Sequence, residues 1–124
     1  MSEIKYIYES YEDKDIIIRE FSGDISVSDI IKSFQFLISH EKITKKCVGI
    51  ITDTTNAKMN VKISELRDIY NFLRNSEELQ NLKLAVIVDT PAKTILPMYA
   101  MKTFTTIKIK PFSGQKTAIK WMLS

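Results

Sequence analysis

Apolar and polar positions alternate at the start of the chain. Ile4–Tyr8 and Asp15–Phe21 read as strands, the second built on the β-branched triplet Ile16, Ile17 and Ile18, and the polar stretch from Glu9 to Lys14 can turn the chain between them. A hairpin is predicted. The period then changes: Ile30, Ile31, Phe34, Leu37 and Ile38 fall on one face of a helix that Ser26 or Ser28 can cap and that ends near His40. Cys47–Thr52 is a continuous apolar run of the kind buried on both faces in a central parallel strand, and Asp53 is expected to end it. Thr54–Lys62 is polar and turn-like. Ser64 can cap a second helix, whose stripe is Leu66, Ile69, Tyr70 and Leu73.

Leu84–Val88 repeats the buried-strand pattern and stops at Asp89. Thr90 and Pro91 supply a hydroxyl cap and a proline at the first helical position, a favourable helix start. Pro97 lacks an N–H and would clash in a helix interior, so a kink or a late start is expected there. Thr106–Lys110 reads as a last, more exposed strand. Ser113 can cap a closing helix with Ala118, Trp121 and Met122 on one face. The order is ββαβαβαβα, which describes an α/β fold. Alternating strands and helices need right-handed crossovers, so the sheet should be mostly parallel, with an antiparallel hairpin at its amino-terminal end and helices covering it. No linker or low-complexity stretch divides residues 1–124, and one domain is expected.

Composition changes this picture little. A chain of 124 residues, 44% hydrophobic and 27% charged, suits a globular domain able to bury one core. No apolar run approaches the ~20 residues that span a bilayer, and the first residues do not resemble a signal peptide. The single Cys47 cannot form an internal disulfide. Cytoplasmic residence is expected on these grounds. The net charge of +3 divides unevenly: residues 1–80 hold 11 Lys/Arg against 14 Asp/Glu, and residues 81–124 hold 7 Lys and only Asp89. The basic part contains no arginine and no glycine-rich aromatic signature, which argues against nucleic acid.

Candidate chemistry is sparse. Asp53, Thr54, Asp89 and Thr90 stand where buried parallel strands are expected to end, and in open α/β sheets ligands bind at that edge. They are the candidates for a polar ligand, although each can equally order its own loop. No DxD spacing supports a metal site, and no cofactor motif is present: Gly23, Gly49 and Gly114 are too dispersed for a phosphate loop. His40, the only histidine, falls at a helix end, and Cys47 heads a buried strand behind Lys45 and Lys46. Neither forms a catalytic pair, and no enzyme activity is expected.

One resemblance covers nearly the whole chain. The stretch IIIREFSGDISVSDIIKSF, with its Gly23-Asp24 turn, the strand CVGIITDT, the strand LKLAVIVD and the ending KPFSGQKTAIKWML resemble the STAS domain of anti-sigma-factor antagonists, and more closely its SpoIIAA-like branch. The resemblance implies a non-catalytic regulatory module acting through a protein partner or a second copy of itself. Antagonists of that family accept phosphate on a serine in an Asp-Ser pair. The corresponding stretch from Asn60 to Ser64 lacks the pair, leaving Ser64 as a phosphate switch or a simple helix cap. The SpoIIAA-like branch is also similar in fold to the CRAL-TRIO lipid-binding domain, which implies an alternative: a small apolar or lipid-like ligand held between helices and sheet.

Overall fold

The early alternation becomes a long antiparallel ribbon in a computed structural model that describes residues 1–124. β1 (Glu3–Tyr11) pairs with β2 (Lys14–Ser26) from Glu3 opposite Ser22 to Tyr11 opposite Lys14, around a tight turn where Glu12 takes a φ of 58°. Ser26 ends β2 and caps α1 (Val27–Ser39). Its hydroxyl accepts from the Asp29 amide while the Asp29 carboxylate accepts from the Ser26 amide, which satisfies two otherwise unpartnered donors. β3 (Cys47–Asn60) follows, then a 3-10 turn (Ile63–Glu65), α2 (Leu66–Arg74) and β4 (Lys83–Ile87). A second 3-10 turn (Pro91–Thr94) leads into α3 (Ile95–Thr103), β5 (Lys108–Phe112) and α4 (Gln115–Met122).

The five strands lie in sheet order β1-β2-β3-β4-β5, with only the β1–β2 pair antiparallel. Two cores flank this sheet. On one face Ile17, Phe21, Ile50 and Leu84 meet Ile30, Phe34 and Leu37 of α1 and Leu73 of α2. On the other, Ile16, Ile18, Ile51, Ala85 and Ile87 meet Ala118 and Met122 of α4. The Ile16–Ile18 triplet is buried because both faces are covered.

The expected elements all form, but several boundaries move. β2 continues past Phe21 to Ser26, bending where its register against β3 shifts between Glu20 and Ser22, and Gly23 there adopts a φ of 75°. β3 does not stop at Asp53. The stretch Thr54–Asn60, read as a turn, extends the strand because Ser22–Ser26 offers it a parallel partner, with Ala57 and Met59 inward and Lys58 and Asn60 outward. Ser64 lies within the 3-10 turn rather than capping α2, and the Glu65 carboxylate instead accepts from the Lys62 amide at 2.8 Å. Pro97 sits in the first turn of α3, where a missing N–H removes no helical bond, so the helix starts late instead of kinking. β5 is displaced two residues from Thr106–Lys110, and Gly114, not Ser113, precedes α4.

Candidate functional site

Side chains alternate along each strand, so one face of the sheet carries Arg19 of β2, Thr52 of β3 and Val86 of β4 in a row, since Arg19 pairs with Thr52 and Thr52 with Val86. Above this row lies a cavity of about 620 Å³ lined by 28 residues, 21 of them hydrophobic. Its floor continues through Leu84 and Ile109. Its roof comes from Ile30 and Phe34 of α1, Leu66, Ile69 and Tyr70 of α2, Leu96, Pro97 and Ala100 of α3, and Phe104 just after α3. Tyr70 stacks on Phe104 with ring centroids 4.4 Å apart, closing the roof where α2 meets α3. Ile63 and Ile95 line the chamber yet are 45% and 56% exposed, which places its mouth between the two 3-10 turns. The chamber also explains Val86: a residue of an interior strand, it is only partly buried because its side chain faces space.

One charged group lies in the floor. Arg19 is 3% exposed. Its Nε and one terminal nitrogen donate to Thr52 Oγ1 at 3.2 and 2.6 Å, and the other terminal nitrogen donates to Ser33 Oγ at 3.2 Å. The guanidinium lies 4.1 Å from the Phe34 ring centroid and 5.0 Å from that of Phe21. Hydroxyls and rings accept hydrogen bonds and polarise, but they carry no countercharge, and the protein's single ion pair is elsewhere, between Lys93 and Asp89. Burial accordingly pushes the Arg19 guanidinium down to about 9, which leaves it a cation at neutral pH.

The residues first considered for a polar site do not assemble into one. Asp53 projects from the opposite face from Thr52 and Thr54, accepting from the Thr55 amide at 3.0 Å, the Thr55 hydroxyl at 2.7 Å and Gln115 Nε2 at 3.5 Å. Asp89 pairs with Lys93 at 2.8 Å, and the hydrogen bond and charge of that lysine hold its carboxyl below the ordinary 3.8. Thr54 is buried at the chamber wall and donates to the Ile87 carbonyl at 2.7 Å, while Thr90 accepts from the Lys93 amide at 3.4 Å. Ser64 is exposed beside Ile63 at the mouth. His40 is exposed, its Nδ1 3.1 Å from the Phe36 carbonyl. Burial pushes the Cys47 thiol up despite Lys45 and Lys46. No carboxylate, imidazole or thiol lines the chamber.

Arg19 was missed by reading DIIIREF as a run of strand residues. The signal was its phase: Ile17 and Phe21, two positions either side, face the core, so a charge between them must be buried too.

No family model matches the chain, and no curated protein matches it in sequence. Solved structures do. An uncharacterized protein from the DUF3478 family with a SpoIIAA-like fold, from Shewanella loihica PV-4, matches with a TM-score of 0.68 at 17% identity, covering 98% of this chain and 95% of the other. An anti-sigma factor antagonist from Mycobacterium paratuberculosis matches with a TM-score of 0.56 at 8% identity over 98% and 96% of the two chains. The anti-sigma factor antagonist SpoIIAA in its unphosphorylated form matches with 0.52 at 11% identity over 97% and 99%. No helix is long and apolar enough to cross a membrane. With its antiparallel first pair, parallel remainder and flanking helices, the chain has the SpoIIAA-like fold.

Proposed function

We propose that this protein is a non-catalytic binding module that takes up a small apolar molecule in the chamber between the sheet and α1, α2 and α3. The observation that carries this reading is the chamber itself. Its volume falls within the ~300–1,000 Å³ typical of ligand pockets, and its lining is predominantly apolar with a few convergent polar groups. Folding leaves that apolar surface in contact with water or empty space, and a ligand removes the cost.

Titration with a fluorescent apolar probe such as N-phenyl-1-naphthylamine tests it. Saturable one-to-one binding with a raised thermal midpoint is expected, because a ligand at about 100 times its Kd stabilises the folded state by roughly 2.7 kcal/mol. Ala100→Phe, which places a ring in the chamber, should abolish binding while the protein stays folded. Failure of wild type to bind would overturn the reading.

A second reading, regulation through a partner protein or a second copy, is supported by the neighbours described as anti-sigma factor antagonists and by Ser64, exposed next to the chamber mouth. If Ser64 is a phosphate switch, Ser64→Asp changes the partners recovered in an affinity pull-down relative to wild type and Ser64→Ala. Identical recovery would eliminate the switch.

A further inference from the structure

We propose that the chamber selects an amphiphile with a single carboxylate head, a fatty-acid-like monoanion, which binds head-first against Arg19 with its chain under α2 and α3 toward Ile63 and Ile95. This rests on the chamber being a ligand site, and it names the ligand's chemistry.

Arg19 holds unspent donors. A guanidinium has five N–H groups, and Arg19 uses three, on Thr52 and Ser33. Two remain on a side chain that lines the chamber. The Thr52 hydroxyl, which receives two of the arginine's bonds, donates to no protein acceptor, so its own proton is a third available donor on the same wall. Three donors around one cation, with no carboxylate in the lining, form a site for an anion supplied from outside.

Charge then fixes the size of the head. Two lysines also line the chamber: the Lys93 ammonium is already taken by the Thr54 and Thr55 carbonyls at 2.8 and 3.4 Å and by Asp89 at 2.8 Å, and Lys58 is exposed, away from the buried wall that holds Arg19. At the buried wall Arg19 is the cation, and it neutralises one negative charge. A phosphate dianion would bury a second without compensation, whereas a carboxylate matches both the charge and the planar fork of the guanidinium. Most of the remaining lining is aliphatic and aromatic, as a hydrocarbon chain requires, with Thr54, Lys58, Thr90 and Lys93 as the other polar members. The polar head and the apolar chain therefore point to a single molecule.

The experiment compares decanoate, 1-decanol and methyl decanoate, which share a chain and differ in the head, by displacement of N-phenyl-1-naphthylamine. Wild type should bind decanoate at least about tenfold tighter than either neutral analogue, as charge-assisted hydrogen bonds to a buried guanidinium imply. Arg19→Met, which keeps the length and the contact with Phe34, should lose that preference while its decanol affinity stays within about threefold. Equal binding of decanoate and decanol to wild type overturns the carboxylate assignment and leaves the apolar chamber standing. If neither the probe nor any decyl compound binds, both readings fall. Should Arg19→Met not fold, the wild-type comparison of the three compounds decides on its own.

Discussion

The two faces of one sheet are built to different standards. Beneath α4, small and large residues interlock: Met122 lies over Gly49, and a Cβ at that glycine would collide with the methionine sulfur and with the Lys83 carbonyl. Ile51 and Ala85 on that face are 0% exposed. Opposite, three helices cover the same strands yet leave about 620 Å³ unfilled and a cation without a countercharge. The same strands are thus closely packed on one face and loosely covered on the other, which is the contrast on which the proposed binding role rests.

Substitutions can test this contrast. The largest difference is expected between two neighbouring interior positions: Ile51→Ala should destabilise by about 2–5 kcal/mol in urea unfolding, because it leaves a void in a close-packed face. Val86→Ala enlarges a space that already exists and should cost only about 1 kcal/mol. Equal losses would mean that the two faces are packed alike.

Next comes the ligand-free Arg19→Met variant. Exchanging a buried charge for an apolar side chain of similar length should raise stability by roughly 1–3 kcal/mol, since desolvation of the guanidinium is no longer required. A destabilised variant would show that the Thr52 and Ser33 hydrogen bonds outweigh the buried charge.

A smaller effect concerns reactivity. With the Cys47 thiol raised by burial, modification by a disulfide reagent at neutral pH should be slower in the folded protein than after denaturation. Equal rates would place Cys47 in solvent.

The smallest effect belongs to Asp89, an exposed group whose carboxyl is depressed chiefly by its hydrogen bond to Lys93. Its folded value lies below the unfolded 3.8, so its contribution is present above that pH and is lost as pH falls through the depressed value. Wild type and Asp89→Asn should therefore differ slightly near neutrality and converge in acid. A gap that persists in strong acid would assign the difference to something other than ionisation.

Much of the fold was legible in hydrophobic periodicity. The Ile16–Ile18 triplet announced the second strand of the hairpin, the two apolar runs opening β3 and β4 announced interior strands, and the stripe from Ile30 to Ile38 announced α1. What failed was reading polarity as a turn: Thr54–Asn60 is a strand because β2 extends beside it, a tertiary cause absent from the segment's own composition. Asp53 lost its place at a strand end for the same reason. The chamber could not be read from the residues, and only the family resemblance pointed to a space between helices and sheet, because the gap above Thr52 and Val86 depends on how far α1, α2 and α3 stand from the sheet. Arg19 was legible in phase but was passed over in composition.

The extension of β3 has a further consequence. β4 pairs with β3 no further than Asp53, so from Thr54 onward that side of β3 has no neighbouring strand. An open strand edge is a template on which other chains can add and aggregate. Lys93 occupies the start of this edge, its ammonium donating to the Thr54 and Thr55 carbonyls, and Lys58 adds a charge further along. The lysine that is too occupied to greet an anion thus covers the first open carbonyls of the longest strand of the sheet, the position at which a charge disfavours strand addition.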